Sequence, residues 1–160
     1  DLAITYQATP ARGLVLRPLL AETMVAVCSP ALLAGRAPLR PEAVPGLPLL
    51  HVERAADDRV YPLWEEWLAA AGIGLGGSRL RGPRFALSFM ALQAARDGQG
   101  LALLSTTLVR DDLAAGRLVA PLATGPRLGI QRTLLSRRGA EQRLAVRAFT
   151  RWLGAAAKAG

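Results

Sequence analysis

Few residues in this chain have side chains suited to chemistry, and they are scattered. His51 is the single histidine and Cys28 the single cysteine. A histidine base would need a nucleophile on a strained turn, and no G-x-S-x-G is present. On the apolar stretch Leu47–Val52, His51 reads as packed or hydrogen-bonded scaffold. One cysteine excludes an internal disulfide, and with one histidine it leaves no Cys/His cluster for zinc. No loop carries the alternating Asp/Asn pattern of a calcium site. Adjacent acids occur at Glu65-Glu66 and Asp111-Asp112. Neighbours on a helix point in different directions, so both pairs read as solvated faces. Gly72, Gly74 and Gly77 match G-x-G-x-x-G by letter. That motif binds a pyrophosphate when it follows a strand and opens a helix, whereas here it follows a predicted helix and opens none. It reads as a helix cap and linker. Trp64 and Trp67 read as core. No catalytic group, cofactor or metal is expected.

What remains are strand ends and helix starts: Tyr6, Cys28-Ser29, Val52–Asp58, Phe85–Ser88 and Ser105-Thr106. In open α/β sheets ligands bind outside the carboxyl ends of the strands. These positions offer hydroxyls, backbone N–H groups and some arginines, which suit a small anionic or zwitterionic ligand. The same Ser and Thr residues serve equally as helix N-caps, and both readings stand.

The elements that must position them centre on Ala86–Gly116. Leu87, Met90, Ala91 and Ala94 have the spacing of one buried helix face. Leu101–Leu104 is short and wholly apolar, as a strand covered on both faces should be. Ser105 to Thr107 offer N-caps for a second helix ending at Gly116, and Arg117–Leu122 reads as a strand. Before this stretch, Leu2–Tyr6, Thr23–Cys28, Leu47–Val52 and Arg79–Phe85 read as strands. Leu14–Leu20 is extended, with Pro18 marking it as an edge or crossing segment. Tyr61–Ala71 reads as a helix. Beyond it, Leu128–Ser136 reads as a strand, and Gln142 to Trp152 as a helix with a broad apolar face and a fraying Ala155–Gly160 tail. The alternation implies an α/β domain with a mainly parallel sheet.

The chain has 160 residues, 51% of them hydrophobic and 20% charged, enough for a sizeable core and inconsistent with disorder. No apolar run reaches the ~18–20 residues of a membrane span. The start, Asp1-Leu2-Ala3-Ile4, has no initiator Met and no signal-peptide core, which suggests that the chain begins inside a larger fold. The net charge is +8. All basic residues but Lys158 are arginines, spread along the chain without a basic run and without interleaved aromatics. Direct nucleic-acid binding is not expected of them.

The order of several short motifs is specific. Val25-Ala26-Val27-Cys28-Ser29-Pro30-Ala31-Leu32-Leu33, Leu49-Leu50-His51 and Trp64…Trp67-Leu68…Ala71-Gly72 are followed by Gly82-Pro83-Arg84-Phe85. Then come Ala91-Leu92-Gln93-Ala94-Ala95…Gly98-Gln99-Gly100-Leu101-Ala102-Leu103, Asp111-Asp112-Leu113-Ala114…Gly116-Arg117-Leu118-Val119 and Phe149…Trp152-Leu153. Together they resemble the effector-binding domain of LysR-type transcriptional regulators, with the glycine-cleavage activator subgroup nearest. The resemblance implies an α/β, type II periplasmic-binding-protein-like fold of two lobes with a small effector in the cleft. Residues 1–22 would end lobe I, 23–127 would form lobe II, and 128–160 would return to lobe I. Effector contacts implied by motif are Tyr6, Asp58, Arg59, Tyr61, Phe85, Ser88 and Ile130. Thr5-Tyr6-Gln7 departs from the Arg-Tyr-Gly common in the family at this point, which implies a different effector chemistry. The implied protein is cytoplasmic, non-enzymatic and homo-oligomeric. It touches DNA through an N-terminal helix-turn-helix that this chain lacks, and needs no cofactor. A periplasmic solute-binding protein of the same fold is the alternative, and a small α/β enzyme a third reading. The implied lobe I pieces should expose apolar faces and drive self-association.

Overall fold

The computed structural model describes residues 2–6, 12–35, 38–53, 61–76, 79–122, 125–126 and 128–159. The chain divides into two compact units, Thr23–Leu128 and Asp1–Glu22 with Gly129–Gly160.

In the Thr23–Leu128 unit, strands follow the order β2, β5, β3, β4. They are β2 (Leu14–Val27, of which residues 23–27 belong here), β3 (Leu49–Val52), β4 (Arg84–Phe85) and β5 (Leu101–Ser105). β3 pairs parallel with β5 and with β4, while β2 runs antiparallel to β5. Two of these three pairings are parallel, as expected, and the antiparallel β2 makes the sheet mixed. Every residue of β5 is buried, as its uninterrupted apolar sequence requires.

Helices α1 (Pro30–Leu33), α2 (Trp64–Ala70), α3 (Ser88–Arg96) and α4 (Thr106–Ala114) complete this unit. Strand alternation sends Val27, Leu50, Ala102 and Leu104 to the face on which Ala91, Leu92, Ala94 and Ala95 of α3 pack. The buried stripe of α3 is thus phased from Ser88, with Ala91, Leu92 and Ala95 at three, four and seven residues beyond it. Of the expected stripe, Ala91 and Ala94 are buried, whereas Leu87 and Met90 are 62% and 50% exposed and do not belong to it. Small residues occupy the contact, so the helix lies close to the sheet and its larger side chains turn outward. Trp64 and Trp67 are core, 5.8 Å apart edge to face.

Two strands shrink. Arg79–Phe85 contributes only Arg84-Phe85. Arg117–Leu122 makes isolated bridges, Cys28 to Val119 and Leu39 to Leu122. Gly82 explains the first: its φ is +153°, and a Cβ there would lie 1.7 Å from the Leu49 carbonyl oxygen. The backbone can approach β3 only without a side chain.

Asp112 corrects the reading of Asp111-Asp112 as a solvated pair. It is 1% exposed. It takes two hydrogen bonds from Arg96, at 2.9 and 2.6 Å, and one from Arg117 Nε at 2.6 Å. It thereby ties α3 to α4 and to the turn after α4. The Arg96 hydrogen bonds, opposed by burial, hold its carboxyl below the ordinary 3.8.

In the other unit the strands run β1, β6, β2. β1 (Leu2–Thr5) lies antiparallel to β6 (Gly129–Arg137), with Leu2 opposite Ser136 and Thr5 opposite Thr133. The segments Leu14–Leu20 and Thr23–Cys28, expected as separate pieces, are one 14-residue strand, β2. Pro18 sits in the half that β5 does not pair, where a missing N–H removes no bond to that neighbour. Helix α5 runs Leu144–Ala159, through the tail expected to fray. Its apolar face splits: Val146 is buried, whereas Leu144, Phe149 and Trp152 are 74%, 46% and 62% exposed.

Candidate effector-binding site

Parallel pairing sets one edge of the Thr23–Leu128 sheet. Val52 lies opposite Phe85, and Leu50 opposite Ala102, so β3, β4 and β5 end together. Antiparallel β2 begins its pairing there, Met24 opposite Ser105. Along that edge a cavity of about 220 Å³ opens, lined among others by Met24, His51, Glu53, Tyr61, Trp64, Ser88 and Leu103.

Each wall has a local cause. Met24, Leu103, His51 and Glu53 project to the face opposite the α3 core, because Val25, Val52, Ala102 and Leu104 point to it. Trp64 donates its indole N–H to the Leu50 carbonyl at 3.1 Å, which fixes the ring as a wall. Glu66 accepts from Leu63 N at 2.8 Å and anchors the start of α2. Glu53 N donates to the Phe85 carbonyl at 2.8 Å, placing the carboxylate at the rim. Ser88 is the first residue of α3, whose N-cap, Leu87, supplies no side-chain acceptor. Met90 N donates to the Leu87 carbonyl at 3.0 Å, which leaves the amides of Ser88 and Phe89, at the cavity's edge, without an intrahelical partner.

His51 is 4% exposed and its Nε2 has no hydrogen-bond partner among the described residues. Burial, and after it the nearby Arg84 guanidinium, hold the imidazole below its ordinary 6.5, against opposing contributions from Glu65 and the Arg81 backbone. Both causes favour the neutral ring.

The motif-derived contacts distribute as follows. Tyr61 and Ser88 line this cavity. Phe85 is half-buried on β4, immediately before the cavity wall Ala86-Leu87-Ser88. Asp58 and Arg59 lie outside the described residues. Tyr6 and Ile130 belong to the other unit. There the Arg132 guanidinium stacks 5.0 Å from the Tyr6 ring centre and donates through Nε to Glu22 at 3.0 Å. Ile130 is buried on β6. Motif reasoning missed Met24, His51 and Leu103. The signal was period-two alternation: counted outward from Val25, Val52 and Leu104, it puts all three on the cavity's face.

A family model described as the LysR substrate binding domain matches residues 1–158. The chain belongs to that family. This LysR-type domain is 38% identical over 122 residues to the glycine cleavage system transcriptional activator of Escherichia coli, covering 76% of this chain and 38% of that protein. It is 45% identical over 75 residues to the transcriptional regulator TrpI of Pseudomonas aeruginosa, covering 46% and 23%. The chain thus spans under two-fifths of these curated relatives. Among solved structures, the effector domain of AmpR from Pseudomonas aeruginosa superposes with TM-score 0.75 at 26% identity, over 99% of this chain and 73% of that one. The regulatory domain of CrgA from Neisseria meningitidis does so with TM-score 0.75 at 21% identity, over 96% and 74%. The fold is the α/β, type II periplasmic-binding-protein-like fold of LysR effector domains. The matching relatives regulate transcription, which favours the regulatory reading over a periplasmic transport protein.

Proposed function

We propose that this LysR-type domain is the sensing part of a bacterial transcription regulator, binding a small metabolite and catalysing nothing. The observation that carries this is the 220 Å³ cavity at the converging strand ends of a family-matched domain. In this reading Thr23–Leu128 is lobe II, and Asp1–Glu22 with Gly129–Gly160 belongs to lobe I. The contacts are Tyr61, Ser88 and Phe85 from lobe II, with Asp58 and Arg59 on the same lobe and Tyr6 and Ile130 from lobe I. An anionic group on the effector suits the uncapped first turn of α3. DNA is contacted through a helix-turn-helix N-terminal to this region, in a cytoplasmic homo-oligomer.

Calorimetric titration of the full-length regulator with small carboxylates and amino acids tests the reading. A metabolite that binds the wild type should bind Ser88→Ala and Tyr61→Phe roughly tenfold more weakly, about one hydrogen bond to a charged group. A metabolite whose affinity ignores both changes, or whose bonds are cleaved during the titration, tells against it.

A further inference from the structure

Charge is distributed unevenly around the cavity of about 220 Å³. Glu53 is the only charged side chain among its described lining residues. Its other polar side chains include Tyr61, Ser88 and His51, and burial favours the neutral form of His51. Arg84 stands opposite His51 on β4, outside the described lining.

The fold holds Glu53 where a ligand can meet it. Its backbone N–H donates to the Phe85 carbonyl at 2.8 Å, which carries the β3–β4 ladder one residue past Val52. Strand alternation then sends the Glu53 side chain to the face of His51, the cavity's face. The residue is exposed, so its carboxylate is accessible at the rim. The buried acids Glu22 and Asp112 have arginine partners. Among the described residues Glu53 has no ion-pair partner.

An unpaired carboxylate at the mouth of a mostly apolar cavity attracts a cation and opposes a bare anion. It can only accept hydrogen bonds, so its partner must donate. A primary ammonium group brings three N–H donors together with the charge. Met24 and Leu103 offer apolar walls. The volume lies below the ~300–1,000 Å³ usual for drug-sized ligands, so the body between the polar groups is a few carbons long.

We propose that the effector of this cavity carries a primary ammonium group, received by the Glu53 carboxylate, on a short aliphatic body. The anionic group at the opposite end comes from the effector reading, on which this inference rests. Together they make the effector an aliphatic amino acid, and Glu53 the residue that selects it over the corresponding simple carboxylate.

Calorimetric titration of the full-length regulator with L-alanine, L-valine and L-leucine tests this. Each is set beside the acid that lacks its amino group: propionate, isovalerate and 4-methylpentanoate. At least one amino acid should bind to saturation, roughly tenfold more tightly than its deaminated counterpart. Glu53→Gln should abolish that preference, weakening the amino acid roughly tenfold while the acid binds as before or more tightly. No binding by any of the three, equal affinity for amino acid and acid, or a Glu53→Gln variant that keeps the preference would each overturn the inference. A metabolite without an ammonium group whose binding still depends on Ser88 and Tyr61 would overturn it and leave the effector reading standing. An ammonium preference lost in Glu53→Gln but untouched by Ser88→Ala and Tyr61→Phe would support the role of Glu53 and sink those two contacts. If Glu53→Gln does not fold, the comparison of amino acid with acid still decides.

Discussion

The Thr23–Leu128 unit and the unit formed by Asp1–Glu22 and Gly129–Gly160 draw on the same apolar alphabet and use it differently. In the first, β5 is wholly buried and α3 lays Ala91, Leu92 and Ala95 on the sheet, so helix and strand exclude water together. In the second, α5 buries Val146 while Phe149 and Trp152 stay in solvent, their rings 5.5 Å apart. Ile4 on β1 is also half exposed. An apolar side chain stabilises a fold by the area it removes from water, not by its presence in a helix. Stability should therefore be concentrated in the first unit, and substitutions should show it.

The largest effect is expected at Gly82→Ala. With the Leu49 carbonyl oxygen 1.7 Å from the new Cβ, β3 and β4 cannot pair. A loss of about 4 kcal/mol or more by urea unfolding, or no soluble protein, is expected. Near-wild-type stability would show that the close approach of β4 is dispensable.

Asp112→Asn comes next, with about 2–3 kcal/mol lost, since two arginines lose a buried partner but keep partial access to water. Its sign with pH follows from the lowered folded pKa. The contribution is fully present above the unfolded value and is lost as pH falls through the lower folded value. Acid titration of stability should be shallower in the variant. An unchanged acid limb would mean that other carboxylates dominate it.

Cys28 tests the integrity of the core without altering it. Burial raises its thiol to about 11, and the side chain is 0% exposed. At pH 7.5 a thiol reagent should modify it only upon unfolding. Rapid labelling of the native protein would mean that the core beneath β2 opens readily.

The smallest change in stability is expected on α5. Trp152→Ser removes an exposed ring and should shift unfolding by no more than about 0.5 kcal/mol. The same substitution should reduce self-association in sedimentation, because the exposed Phe149–Trp152 pair is the kind of patch that seeks cover. A cost above 2 kcal/mol would erase the contrast between the units.

Two residues of the cavity lining were legible in the sequence. Tyr61 and Ser88 line a cavity at the strand ends because parallel pairing brings those ends together, and the motif order reports the pairing. His51 escaped because a lone histidine carries no periodicity of its own; only the phase of its neighbours places it. The same phase problem misassigned α3, where Leu87 and Met90 looked more apolar than the alanines that make the contact. Asp112 was misread because the sequence hides the partner: Arg96 stands sixteen residues away.

The sequence by itself determined the helices, the buried strands and the family, since apolar runs, caps and glycine joints act within a few residues. Leu101–Leu104 could hardly be anything but a covered strand. Only the tertiary structure decided which face of each element meets water and which charges find each other. Those outcomes depend on contacts between segments far apart in the chain, whose distances no local pattern encodes.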